Sequence, residues 1–249
     1  MRLFGKTALI TGGNSGIGFA TAKLFLAQGA KVIITGRNQT LIDEAVAQLG
    51  QNAFGILCDA GNMQDINALP NKISKLSDTV DILFSNAGVG LFAPFEQTTE
   101  KIFDANMEIN FKGTVFTIQK LLPLIPNGGS IVLNATVLAH LGYETSSAYS
   151  ASKAAVLSFC KTLAIELAPK DIRVNTISPG PINTPIYSKM GIPQDILQEF
   201  AAGVQALIPM NRFGASEDIA NAALFLASAD STFMTGSEIR VDGGKSITF

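Results

Sequence analysis

Tyr149 and Lys153 stand four residues apart in Tyr149-Ser150-Ala151-Ser152-Lys153, at the head of an apolar stretch with helical spacing. Side chains four apart share one face of a helix. An ammonium beside a phenol stabilises phenolate, so the spacing predicts a tyrosine whose pKa falls from about 10 toward working pH. A phenol tuned in this way can exchange a proton with a carbonyl or an alcohol. Taken alone, such a pair is also what a solvated helix face presents.

A second group of residues is suited to phosphate. Thr11-Gly12-Gly13-Asn14-Ser15-Gly16-Ile17-Gly18 follows a short apolar run and precedes an apolar helix. Glycines there permit a tight turn, let backbone approach a pyrophosphate and let helix pack on strand, with phosphates meeting free N–H groups at the helix N-terminus. Gly12, Asn14, Ser15, Gly16, Ile17 and Gly18 are therefore candidate dinucleotide-binding residues. A glycine triplet alone is a weak signal, and its place between strand and helix is the context it requires. The next strand, 31–35, ends in Gly36-Arg37-Asn38 with no carboxylate before Asp43. A carboxylate at that end would bind a ribose 2′-hydroxyl. Its absence beside Arg37, whose guanidinium can grip a 2′-phosphate in a fork, favours NADP(H) over NAD(H).

The elements that must position these groups alternate. Apolar runs at 7–11, 31–35, 54–58, 80–84, 130–134, 172–177 and 238–241 read as strands buried on both faces. Helix-length segments lie between them at 16–28, 39–49, 65–76, 100–122, 148–167 and 217–227. Asn38 suits a cap for the second helix, Gly29 ends the first, and Ser216-Glu217-Asp218 opens the last. Such repetition demands a parallel sheet with helices on both faces. The expectation is one domain over 1–249, a doubly wound, Rossmann-type α/β three-layer sandwich with about seven parallel strands. One irregular stretch, about 180–213, holds Pro181, Pro185, Pro193 and Pro209 and a short helical patch at 194–202. It reads as a lid or substrate loop, with an ordinary surface connection as the alternative.

Composition removes other classes. Eighteen Lys+Arg against 20 Asp+Glu give a formal charge of −2, without the electrostatic footprint of a nucleic-acid or acidic-membrane binder. Charged residues are 15% and apolar residues 47%, where about 25% charged is usual, so disorder is excluded and extensive burial is expected. No apolar run approaches the roughly 18 residues of a membrane span. Met1-Arg2-Leu3-Phe4-Gly5-Lys6 leads straight into a strand without a signal core. Two cysteines and one histidine are too few for a metal cluster or zinc site. Cys58 and Cys160 read as buried reduced thiols, and a cytoplasmic protein is expected.

Taken together, the Gly12–Gly18 loop, Ser85-Asn86-Ala87-Gly88, Tyr149-x-x-x-Lys153, Ser178-Pro179-Gly180 and the C-terminal Thr235-Gly236-Ser237 and Val241-Asp242-Gly243-Gly244 resemble the short-chain dehydrogenase/reductase family. The resemblance runs in the family's order over almost the whole chain. It implies an oxidoreductase that interconverts a carbonyl and a secondary alcohol by hydride transfer. By resemblance Tyr149 is the catalytic acid/base, and Lys153 holds the nicotinamide ribose and lowers the tyrosine pKa. Asn110 anchors a proton-relay water, Asn86 supports the adenosine side and Asp59 lies near the adenine. Pro179, Gly180, Ile182 and Thr184 fall in the segment at the carboxamide end. The family's substrate-orienting serine is replaced by Thr136. His140, four residues further on, is left outside the catalytic set.

From Ile186 to Met210 the lid is apolar, with Lys189 its only cation, which suits an uncharged or hydrophobic carbonyl substrate. The segment 121–129 has no basic residue, which argues against docking an acidic carrier protein. Family members commonly form tetramers, so a homotetramer is expected, a homodimer being the alternative. A cofactor-binding sensor with little turnover and an adenosylmethionine methyltransferase are the rival readings. The first has only Thr136 in its favour, and the second leaves the Tyr–Lys pair unexplained. Threonine keeps the hydroxyl but adds a methyl that restricts χ1, so Thr136→Ser should broaden substrate preference. Unchanged rate and preference in a carbonyl-substrate panel would remove the steric part of this expectation.

Overall fold

In the computed structural model, which describes residues 1–184 and 201–248, seven strands form one sheet. They are β1 (Thr7–Ile10), β2 (Lys31–Gly36), β3 (Ala53–Leu57), β4 (Ile82–Ser85), β5 (Ser130–Asn134), β6 (Arg173–Pro179) and β7 (Glu238–Val241). Their order is β3-β2-β1-β4-β5-β6-β7, and every pairing is parallel. The helices α1 (Gly16–Ala27), α2 (Gln39–Leu49), α3 (Met63–Ile73), α4 (Glu100–Met107), α5 (Gly113–Leu121), α6 (Ser147–Leu167) and α7 (Ser216–Ala227) accompany them, and residues 201–206 are helical as well.

The strands are apolar on both faces because both are covered. Leu9, Ile33, Leu83, Ile131 and Leu133 face a core shared with Leu69 and Ile73 of α3, Ile118 of α5 and Cys160 of α6. Their neighbours Ile10, Ile34, Phe84 and Val132 face the other core, with Phe25 of α1, Ile42 of α2 and Ala223 of α7. This is the doubly wound Rossmann-type sandwich expected. Asn38 caps α2, its Oδ1 accepting the Leu41 N–H at 3.1 Å. Gly29, at φ +89°, ends α1 in the left-handed region that glycine enters without a Cβ penalty.

The segment 100–122 is helical as expected but not uniformly α: α4 runs to Met107, a π-helical turn spans Glu108–Lys112, and α5 continues from Gly113. The cause is tertiary. The wide turn carries the fully buried Asn110 side chain toward the segment after β4, where its Oδ1 accepts the Val89 N–H at 2.8 Å. A Cβ on Gly113 would strike the Ala60 carbonyl oxygen, so helix and the β3–α3 loop touch only because that residue has no side chain.

Strand order reverses between β1 and β4, which opens a crevice at the C-terminal strand ends. At the base of the 180–213 segment, Ile182 bridges Gly214. The Asn183 N–H donates to the Gly214 carbonyl at 2.8 Å and the Gly214 N–H to the Pro181 carbonyl at 3.0 Å. The lid residues from 185 to 200, including Ile186, Lys189 and Phe200, lie outside the described residues. Gly113→Ala should destabilise the fold by about 1–3 kcal/mol, the cost of overpacking. Unchanged stability in urea titration would contradict this account of the α5 approach.

Candidate active site

The turn between β1 and α1 is built by glycine. Gly12 and Gly16 have φ of +65° and +53°. A Cβ on Gly18 would meet the Gly12 carbonyl oxygen, and one on Gly13 would lie 2.5 Å from Ile34 Cγ2. Ser15 stands at the N-cap of α1 without giving a side-chain cap hydrogen bond, and Ile17 follows in the first turn. The Asn14 Oδ1 lies 2.9 Å from where a Gly36 Cβ would sit, so Asn14 reaches the end of β2. The result is a cradle of main-chain N–H groups at a helix N-terminus, a good environment for pyrophosphate.

A half-buried amide network joins three strand ends. The Thr11 hydroxyl accepts the Asn86 and Ala87 N–H groups, each at 2.9 Å. Asn86 Nδ2 donates to the Thr11 carbonyl at 3.0 Å, and its Oδ1 accepts from Asn134 Nδ2 at 2.9 Å. The ends of β1, β4 and β5 are thereby locked in register with the glycine turn. Asn134 Oδ1 is buried and finds no hydrogen-bond partner.

The end of β5 also receives the catalytic candidates. Lys153, 4% exposed, donates from Nζ to the Asn134 carbonyl at 2.7 Å. Burial lowers its pKa to about 8. One turn back along α6 stands Tyr149, whose phenol pKa is influenced by the Thr136 side chain. The expected fall in the phenol pKa is not seen. Burial is the larger influence and pushes it up, with the Thr136 side chain acting the other way. Thr136 Oγ1 also accepts the Leu138 N–H at 3.3 Å.

Asn110 approaches from the opposite side. Its Nδ2 donates to the Val89 carbonyl at 2.9 Å and to Ser152 Oγ at 3.0 Å, while Ser152 donates to the Tyr149 carbonyl at 2.7 Å. Both polar atoms of this side chain therefore serve as a clasp, and its main-chain carbonyl accepts from Thr114 Oγ1 at 2.9 Å. Gly88 fits between the parts: a Cβ there would lie 2.9 Å from Asn110 Oδ1 and 3.3 Å from Lys153 Nζ.

The other candidates line the same strand ends. Arg37 is exposed just after β2. Asp59 follows β3, its Oδ1 accepting the Gly61 N–H at 2.9 Å. Pro179 ends β6, Gly180 packs on Asp242, Ile182 is buried and Thr184 half-buried. His140 turns to β7, where its Nε2 lies 2.7 Å from Glu238 Oε1. Cys58 and Cys160 are both free and buried. Among the described residues no group of three or more His, Cys, Asp or Glu is placed to hold a metal, and no helix is long and apolar enough to cross a membrane. Sequence reasoning passed over Thr11, Ser152 and Asn134. Their signal was proximity, Thr11 and Ser152 standing beside Gly12 and Lys153 and Asn134 two residues before Thr136.

Across residues 12–246 the chain matches a family model described as enoyl-(acyl carrier protein) reductase. It is similar to Oxidoreductase asL5 of Sarocladium schorii, 40% identical over 245 residues, covering 98% of this chain and 96% of that one. Human Dehydrogenase/reductase SDR family member 4 is 35% identical over 248 residues, covering 97% and 88%. A solved short chain dehydrogenase/reductase family protein superposes with a TM-score of 0.86 at 37% identity, covering 100% of both chains. The chain belongs to the short-chain dehydrogenase/reductase family. This is a family of oxidoreductases that bind a nicotinamide dinucleotide, and the glycine cradle with its missing Cβ atoms fits such a ligand.

If bare space at Gly88 sets the place of Lys153, Gly88→Ala should displace a charge-assisted hydrogen-bond donor worth about 1.5–3 kcal/mol. Dinucleotide affinity, read from NADPH fluorescence, should then fall about tenfold or more. Unaltered affinity in a folded variant would show that Gly88 has no such role.

Proposed function

We propose that this family member interconverts a carbonyl compound and a secondary alcohol with NADP(H), Tyr149 exchanging the proton at the substrate oxygen. The observation that carries this is the convergence at the end of β5, where Thr136 follows the strand and Lys153 of α6, one turn from Tyr149, is buried against the Asn134 carbonyl. Gly12, Asn14, Ser15, Gly16, Ile17 and Gly18 would hold the pyrophosphate and Arg37 a 2′-phosphate. Asp59 would face the adenine, Asn86 would support the adenosine side, and Lys153 would take the nicotinamide ribose. Pro179, Gly180, Ile182 and Thr184 would bound the nicotinamide end.

When bound, reduced nicotinamide supplies the hydride for the carbonyl carbon. Thr136 orients the substrate oxygen through its hydroxyl. Tyr149 gives that oxygen a proton as negative charge develops on it. A phenol pushed up by burial is protonated at neutral pH, the form that reduction requires. Lys153, losing its proton near pH 8, can return one to the phenolate. Asn110 steadies the Tyr149 turn through Ser152, and a relay water toward solvent would have to use its main-chain carbonyl.

The absence of basic residues in 121–129 supports a free, uncharged or hydrophobic carbonyl compound over a carrier-bound thioester. Exposed apolar side chains on α4 and α6, Phe103 and Ile165, support self-association into a homotetramer. The balanced net charge of −2 supports an enzyme without nucleic-acid or membrane partners, and two free, buried cysteines support a reducing, cytoplasmic setting.

Loss of NADPH absorbance against a panel of carbonyl compounds, with NADH in parallel, tests the reading. Wild type should oxidise NADPH, Tyr149→Phe should be slower by about a hundredfold or more, and Arg37→Ala should raise KM for NADPH about tenfold without changing KM for NADH. Full turnover in Tyr149→Phe would refute the proton role. A preference for NADH would refute the role of Arg37.

A further inference from the structure

Two buried asparagines, Asn106 and Asn110, treat the segment after β4 as the edge of a strand. Asn110 binds both main-chain groups of Val89. Asn106 does the same for Leu91: its Oδ1 accepts the Leu91 N–H at 3.4 Å and its Nδ2 donates to the Leu91 carbonyl at 3.0 Å. Residues two apart in an extended chain present their N–H and C=O to one edge, and residues four apart on a helical turn lie on one face. The two amides therefore match two successive rungs. Beyond them the Ala93 N–H donates to the Thr145 carbonyl at 2.9 Å, in the loop before α6.

Phe92 lies between these anchored neighbours. Its ring centroid is 5.1 Å from that of Tyr149, with the planes tilted by 50°. Asn106 is fully buried, and its remaining hydrogen bond goes to the Ile102 carbonyl at 3.0 Å within α4. The proton-transfer scheme uses no amide at this place. Buried helix positions are ordinarily apolar, so the function of this amide is what it holds.

We propose that Asn106 is a positioning residue for substrate selection: by gripping both main-chain groups of Leu91 it fixes Phe92 against Tyr149, and Phe92 forms the wall on which a planar apolar substituent of the carbonyl compound packs. The inference rests on the carbonyl–alcohol reading of the site. A flat aryl group packed on Phe92 adds aromatic contact to buried area. The methyl groups of a small ketone gain less from that ring, because they offer less apolar area and no aromatic face.

Acetonaphthone and acetone are the probes, and the ratio of their kcat/KM values is the readout. Calorimetric binding of acetonaphthone to the NADP+-loaded protein is the second. Phe92→Ala should lower the ratio about tenfold and Asn106→Ala about fivefold. The double variant should fall no further than Phe92→Ala, because both changes act through one contact. If Asn106→Ala does not fold, Asn106→Ser carries the same comparison. A lower melting temperature with ratio and affinity both at wild-type values would make the amide merely structural and overturn the proposal. Additive losses in the double variant would overturn it too. Wild type that binds acetonaphthone but transfers no hydride would contradict the carbonyl reading alone; the variants' affinities would then decide the positioning, losses upholding it and wild-type values overturning it. No binding of acetonaphthone by wild type would overturn the aryl wall.

Discussion

A lysine side chain buried to 4% exposure with a neutral carbonyl as its partner is the most demanding feature of this molecule. Removing an ammonium from water costs several kcal/mol, and a carbonyl dipole returns only part of that. The protein answers in two ways. It lets the proton leave near pH 8, and it builds rigid surroundings around the nitrogen. Asn134 presents its carbonyl at the end of β5, while its side chain is fastened to Asn86 and through it to Thr11. Gly88 leaves the volume that Lys153 and Asn110 share. Were any of these displaced, the lysine would lose its acceptor or its space.

Amides organise the strand ends around it. Asn86, Asn106, Asn110 and Asn134 each carry main-chain or side-chain hydrogen bonds that hold loops beyond the strand ends. Loops ordinarily vary and move more than the elements they join. Here the segment after β4 is held much as a strand would be, which gives the phenol of Tyr149 a fixed neighbour in Phe92. Rigidity of this kind orients a substrate without further contacts, since less ordering remains to be done when it binds.

Much of this was legible in the amino-acid order. Ser130–Asn134 and Glu238–Val241 coincide with their expected strands because a strand buried on both faces leaves a short, unbroken apolar run. The glycine turn was legible because positive φ and close backbone approach leave few other residue types. The π-helical turn at Glu108–Lys112 was not, because local periodicity favours a uniform α-helix, while the widened turn goes with the bonds of Asn110 to Val89 across the fold. The sign of the Tyr149 shift was also hidden. Spacing placed Lys153 on the same helix face, but not the Asn134 carbonyl that takes its nitrogen, nor the burial that raises the phenol. Asn106 reads as one polar residue in a helix until its bonds to Leu91 are seen.

The central claim, that the site is organised around a buried lysine titrating near working pH, can be tested by following the Lys153 side-chain carbon resonances with pH in selectively labelled protein. Lys153→Met, which lacks the signal, assigns it. The account predicts a titration midpoint near 8. A midpoint near 10.4, the value of a solvated lysine, would contradict it.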